Sequence, residues 1–160
     1  MTLRAIALLL GVSASVVTVA VGAQSSTLFT FHSNPWINLH FFVRVAARGV
    51  PVQAGLSEQE RAVWAAGVEF YKPYAARDVL RDAGMVTIAS ALRGGEGRNS
   101  LDGIAVEPPL KSMLERLMPL YRTHWWPQHD RANREWIAAV VPLVDRHGAA
   151  ISQAIARAYG

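Results

Sequence analysis

The stretch HWWPQHDRANREW, residues 124–136, places His124, His129, Asn133, an Asp–Arg pair and three tryptophans within thirteen positions. Imidazoles can ligate a metal or carry protons, and a neighbouring amide can orient a ligand by hydrogen bonds. A second cluster, FHSNPWINLHFF over residues 31–42, adds His32 and His40. Together with Asp130, the donors His32, His40, His124 and His129 form a set that would take zinc if the fold brought them together. Trp125, Trp126 and Trp136 could wall a ligand pocket around His129 and Asn133. The sequence has no HExxH, no HxH and no histidine pair four residues apart, so a metal site needs tertiary convergence, not one helix face. In the competing reading, aromatic neighbours bury the imidazoles and the tryptophans are core. Carbonyls or carboxylates then satisfy the ring nitrogens, as buried polar groups require.

Local spacing divides the cluster further. Pro127 suits the opening of a helix, on which residues four apart share a face. His129 then stands above Asn133, and Asp130 above Arg134. The Asp130–Arg134 pair is an ordinary surface interaction worth about 0.2–0.5 kcal/mol, and an acidic residue suits the helix start. Trp136 begins an apolar stripe. Helix building leaves His124, His129 and Asn133 unexplained.

Other chemistries find less. Cysteine is absent, so the chain has neither a thiolate nucleophile nor a disulfide. No GxSxG places a serine on an elbow. The loop GGEGRNS, residues 94–100, lacks the Lys-Ser/Thr of a phosphate loop and follows no strand. Glu58, Glu60 and Glu69 read as solvated carboxylates, and His147 reads as a helix-end histidine ahead of an exit at Gly148.

The elements that must position these residues are helical. Asn34 and Pro35 begin a helix that leaves at Gly49, with Trp36, Leu39, Val43 and Ala46 as its apolar stripe. Ser57 and Glu60 have capping-box spacing, and Pro73 interrupts that second helix after Tyr71. A third runs through residues 77–95 with Val79, Ala83, Val86 and Ser90 on one side. A fourth follows Pro108 and Pro109, bent at Pro119. A fifth starts at Pro127, with a break near Pro142, followed by a short final helix. In the fifth, Trp136, Val140 and Leu143 mark one side. STLFTFHS, residues 26–33, is the one extended candidate. The expected fold is all-α, an irregular array of about five to seven helices.

Residues 1–23 have the layout of a signal peptide: Arg4, an apolar run, and small residues before a cut after Ala23. The alternative is a retained membrane anchor, which would be the chain's one route to a bilayer. Residues 24–160 form one helical domain, either complete or part of a larger protein with a missing C-terminal half. Export implies a periplasmic or secreted protein. The chain carries 16 basic and 12 acidic residues, net +4, without a Lys/Arg block, so nucleic acid is not an expected partner.

The segments at 31–42 and 121–137 resemble a family of uncharacterised secreted bacterial proteins with HSNxWxNLH-like and HWWPxHDxxNRxW-like motifs. The matching positions are His32, Asn34, Trp36, Asn38, His40, His124, Trp126, His129, Asn133 and Trp136. The resemblance implies longer proteins whose later half carries a metallopeptidase-type histidine–glutamate motif. That motif is absent here, and Phe41 stands where the family has a second histidine. Two functional readings follow. One is an exported binding or scaffolding domain without a cofactor, for a protein partner or a small ligand of unknown chemistry. The other is the N-terminal part of a metal-dependent hydrolase or peptidase.

Overall fold

Asn34 shows how local chemistry starts the structure. Its backbone is extended, and its side-chain oxygen accepts from the amides of Trp36 and Ile37 at 2.9 and 3.2 Å. Two of the donors that every helix start leaves unpaired are thereby satisfied. Pro35 lacks an amide hydrogen and fits the first helical position. The helix they open, α1 (Pro35–Ala47), ends before Gly49, whose φ of 87° suits a residue without a side chain.

The computed structural model describes residues 30–51, 55–79 and 81–159. The leader-like segment and residues 26–29 of the extended candidate lie outside them. Among the described residues there are six helices and no strand: α1, then α2 (Glu58–Phe70), α3 (Lys72–Ala75), α4 (Ala83–Arg93), α5 (Pro108–His124) and α6 (Trp126–Tyr159). The expected all-α array is what the chain forms. None of these helices is long and apolar enough to cross a membrane.

α1 is the hub and contacts all five other helices. Its stripe of Trp36, Leu39, Val43 and Ala46 is buried, together with His40 and Arg44. Around it pack Tyr71, Leu92, Leu101, Leu110, Leu114, Leu117 and Tyr121. Loop 94–100 crosses directly over the indole of Trp36. A Cβ on Gly95 would lie 2.8 Å from Trp36 Cδ1 and 2.9 Å from Leu101 Cδ2, so the approach requires glycine. The capping box of Ser57 and Glu60 is formed on α2. Pro73 sits in the first turn of the single-turn α3 that follows the Tyr71 corner, where its missing amide hydrogen costs no helix bond.

Two expectations change. α4 starts at Ala83, not near 77, because Asp82 caps it by accepting from Met85 N at 3.1 Å. Its buried residues are Met85 and Leu92, whereas Val86 is exposed. α5 runs through Pro119 to His124. α6 is one helix of 34 residues that passes Pro142 and Gly148 without stopping, about 51 Å long at 1.5 Å per residue. Pro142 and Ala138, whose carbonyl the proline leaves unpaired, are both exposed, so water can serve that oxygen.

α6 touches only α5 and α1 among the helices. Beyond its first turns it leaves the bundle. Trp136, Leu143, Ile151 and Ile155 are 57%, 54%, 52% and 54% exposed, so the side marked by Trp136 and Leu143 does not face the core.

Candidate functional site

The junction between α5 and α6 is a single residue, Trp125, whose backbone (φ −129°, ψ −35°) departs from the helical region. Its amide donates to Tyr121 O at 3.0 Å, and its own carbonyl accepts from His129 N at 3.1 Å. The corner thus loses little backbone pairing while the chain changes direction. Trp125 is buried there against Trp64, with ring centroids 4.7 Å apart. Phe42 of α1 fills the inside of the corner, touching Trp64, Tyr121, Trp125 and His129 at centroid distances of 5.5, 5.7, 5.3 and 4.9 Å.

Five polar side chains of the 124–136 stretch, those of His124, His129, Asp130, Asn133 and Arg134, have hydrogen-bond partners. His129 Nδ1 lies 2.8 Å from the Tyr121 hydroxyl, and partial burial lowers the histidine's pKa, favouring the neutral ring. His124 Nε2 meets Glu60 Oε1 at 2.9 Å. The other oxygen of that carboxylate accepts from Ser57 N at 2.8 Å, so Glu60 joins the start of α2 to the end of α5. These hydrogen bonds, that from His124 foremost, hold the Glu60 pKa down at about 2.

On the first turns of α6 a continuous hydrogen-bond chain runs back to the N-terminal segment. Arg134 Nε donates to Asp130 Oδ2 at 2.8 Å, and Ser33 Oγ donates to Asp130 Oδ1 at 2.7 Å. Asn133 Nδ2 donates to Ser33 Oγ and to Asn38 Oδ1 at 3.3 and 3.1 Å. Asn38 in turn donates to Asn34 O at 2.9 Å, and Asn34 Nδ2 reaches Leu92 O and Arg93 O at the end of α4, both at 3.3 Å. Residues about 95 positions apart are tied in this way. Asp130 is a weak base, since Arg134 and then Ser33 lower its pKa. The Ser33–Asp130 contact therefore has none of the drive of a nucleophile paired with a neutral base.

The remaining candidates are dispersed. His32 Nδ1 pairs with Glu96 at 2.8 Å on the surface. His40 is fully buried near α3, with Nδ1 2.9 Å from the Tyr71 hydroxyl. Its Nε2 has no hydrogen-bond partner. Burial first, then the positive charges of Arg44 and Arg77, lowers its pKa to about 4. Arg44 donates to the carbonyls of Tyr74 and Arg77 and so closes the end of α3. Trp126 packs near Tyr121 at 6.0 Å, and exposed Trp136 meets Phe31 edge-on at 5.5 Å. Among the described residues no group of three or more His, Cys, Asp or Glu side chains is placed to hold a metal ion.

Two shallow grooves flank the corner. One, of about 290 Å³, lies between α1 and α6 and is lined by Asn38, Phe41, Phe42, Val45, His129, Ala132 and Asn133. The other, of about 260 Å³, lies between α2 and α5 beside Glu60. Sequence spacing missed Ser33, Tyr121 and Phe42. A serine, a tyrosine and a phenylalanine carry no local signal for contacts that depend on how distant helices cross.

The structure thus brings Asn133, Asp130 and the Ser33 segment into one polar clamp, sets His129 beside it on the Tyr121 hydroxyl, and leaves His32, His40 and His124 in three other pairings. Compared with known protein families, curated proteins and solved structures, the chain matches none.

Proposed function

We propose that the chain is a helical binding or scaffolding domain, acting outside the cytoplasm, in which the clamp at 124–134 sets the direction of α6 and presents its distal half to a protein partner. The observation that carries this reading is the continuity of one helix face. Trp126, Asn133 and Ile137 face the bundle, and Val140, Val144, Ile151 and Ile155 continue the same side of the helix at 3.6 residues per turn. Leu143, Ile151 and Ile155 on or beside that side are more than half exposed. Burying such residues fully is worth about 1.5–3 kcal/mol each, so a bundle that leaves them in water forgoes roughly half of that at each position. Such a stripe is characteristic of a surface that another component covers.

The hydrolase reading has less to stand on. It needs convergent donors or a base beside a nucleophile, and each polar group of the clamp is committed to a structural bond.

The test is the triple variant Leu143→Ser/Ile151→Ser/Ile155→Ser, melted at sub-micromolar concentration with fluorescence of the buried tryptophans as the readout. The expected result is a bundle destabilised by no more than about 0.5 kcal/mol per site, as for surface positions. A loss of about 2–5 kcal/mol per site, as for core leucines, would show that the stripe belongs to the chain's own core and overturn the reading.

A further inference from the structure

We propose that the component covering the distal half of α6 is a second copy of the same helix, running antiparallel about a two-fold axis between His147 and Gly148. This rests on the reading that the stripe is presented, and it names the partner.

Three observations point to a second copy. First, the apolar positions mirror one another about that midpoint. Ile137 corresponds to Ala158, Val140 to Ile155, Val141 to Ala154, and Val144 to Ile151. The spacing is the three–four alternation of a helix–helix seam, and an isologous pair needs a face that is complementary to itself under a two-fold rotation. Second, the register fits the bundle. Residues 139–159 of α6 span about 31 Å. With the axis at that midpoint, residue 158 of one copy lies beside residue 137 of the other, where the partner's bundle begins. There the groove of about 380 Å³ lined by Phe31, His32, Arg134 and Ile137 is open to receive it. Third, the size fits a weak, reversible pair. Two faces about 31 Å long and about 10–12 Å wide remove about 700 Å² from water, below the range of tight specific interfaces and in that of transient ones.

The side chains fit this arrangement. Pro142 lies on the opposite side of the helix from the seam, where its ring obstructs nothing. His147, beside the axis, is the seam's one ionisable residue, and a single polar position of this kind fixes register. A helix continuous through Pro142 and Gly148 cannot double back to cover its own stripe.

Because the chain contains no cysteine, single cysteines report the pairing directly. The experiment combines sedimentation of the purified chain from 1 to 200 µM with oxidation of His147→Cys and, separately, Ile155→Cys. In the antiparallel pair, residue 147 lies next to its symmetry mate, whereas the two copies of residue 155 are about 22 Å apart along the axis. The expected result is a monomer–dimer equilibrium in the micromolar range, a covalent dimer from His147→Cys, and none from Ile155→Cys. Ile151→Glu/Ile155→Glu should weaken association at least tenfold while leaving the dilute melting temperature unchanged. Efficient cross-linking of Ile155→Cys would mean a parallel pair and overturn the proposal. A monomer at 200 µM whose melting is indifferent to the glutamates would remove the second copy but leave the presented stripe standing. A monomer that the glutamates destabilise when dilute would mean that the chain itself covers the stripe, and both readings would fail.

Discussion

Asn34→Leu should destabilise the fold by about 2–4 kcal/mol, although it replaces one buried side chain by another with the same branching and number of heavy atoms. Asn34 is 1% exposed and makes four bonds, two as acceptor at the start of α1 and two as donor to the last carbonyls of α4. Loss of a cap costs about 0.5–2 kcal/mol, and leaving buried groups unpaired adds about 1–3 kcal/mol. Asn34→Ser separates the two terms. Serine can still cap α1 but is too short to reach Leu92 O and Arg93 O, so it should recover roughly the capping share and no more. Urea midpoints at constant slope measure both variants. Equal stability of the serine variant and the parent would mean that the α4 bonds contribute nothing.

The second large effect is a pH dependence traced to His40. An unfolded chain protonates this histidine near 6.5, whereas the folded one holds it neutral down to about 4. Above 6.5 the ring is neutral in both states and contributes no slope. As the pH falls below 6.5 the unfolded state takes up a proton that the folded state refuses, so stability declines until the folded ring also titrates near 4. The interval of about 2.5 units corresponds to a loss on the order of 3 kcal/mol. His129 is shifted in the same direction and adds to the slope. Glu60 and Asp82, lowered to about 2 by His124 and Arg77 respectively, lose their share as the pH falls from the ordinary carboxylate range toward 2, below the histidine window.

The partner of His40 makes the prediction specific. His40→Phe alone strands the buried hydroxyl of Tyr71, and Tyr71→Phe alone leaves both nitrogens of His40 without a bond. Each single change should cost about 1–3 kcal/mol. His40→Phe/Tyr71→Phe removes both polar partners, so it should cost less than the sum of the two and flatten most of the slope between pH 6.5 and 4. A double variant that keeps the parental slope would assign the titration to another group.

Signals confined to a few neighbouring residues were legible in the sequence. Asn34 with Pro35, Ser57 with Glu60, and Gly49 each act through bonds or dihedrals within one turn, and each does what its spacing implies. The apolar row of α4 was not legible. That stretch carries several rows of similar hydrophobicity, and the choice of Met85 and Leu92 depends on where α1 lies. Pro142 and Gly148 read as stops because a proline costs about 3 kcal/mol and a glycine about 1 kcal/mol inside a helix. The structure continues through both, and solvent on the Pro142 side offers the freed carbonyl a partner. The histidines illustrate the same limit at longer range. Their types and density marked the corner, but Glu60 is 64 residues from His124, and Tyr71 is 31 residues from His40. Only the crossing of α1, α2 and α5 brings these pairs together. Asn133, which helix propensity left unexplained, is accounted for by its bonds to Ser33 and Asn38.

The claim that the clamp fixes the start of α6 and leaves the rest uncovered by its own bundle is tested most directly by backbone hydrogen exchange along this one helix. Amides of residues 128–138, apart from those of the opening turn, should exchange as slowly as those of α1 and α5 at every concentration. Amides of residues 143–158 should exchange orders of magnitude faster in dilute solution and slow as the concentration rises. Equal, slow exchange along the whole of α6 in dilute solution, or fast exchange in the clamp itself, would contradict it.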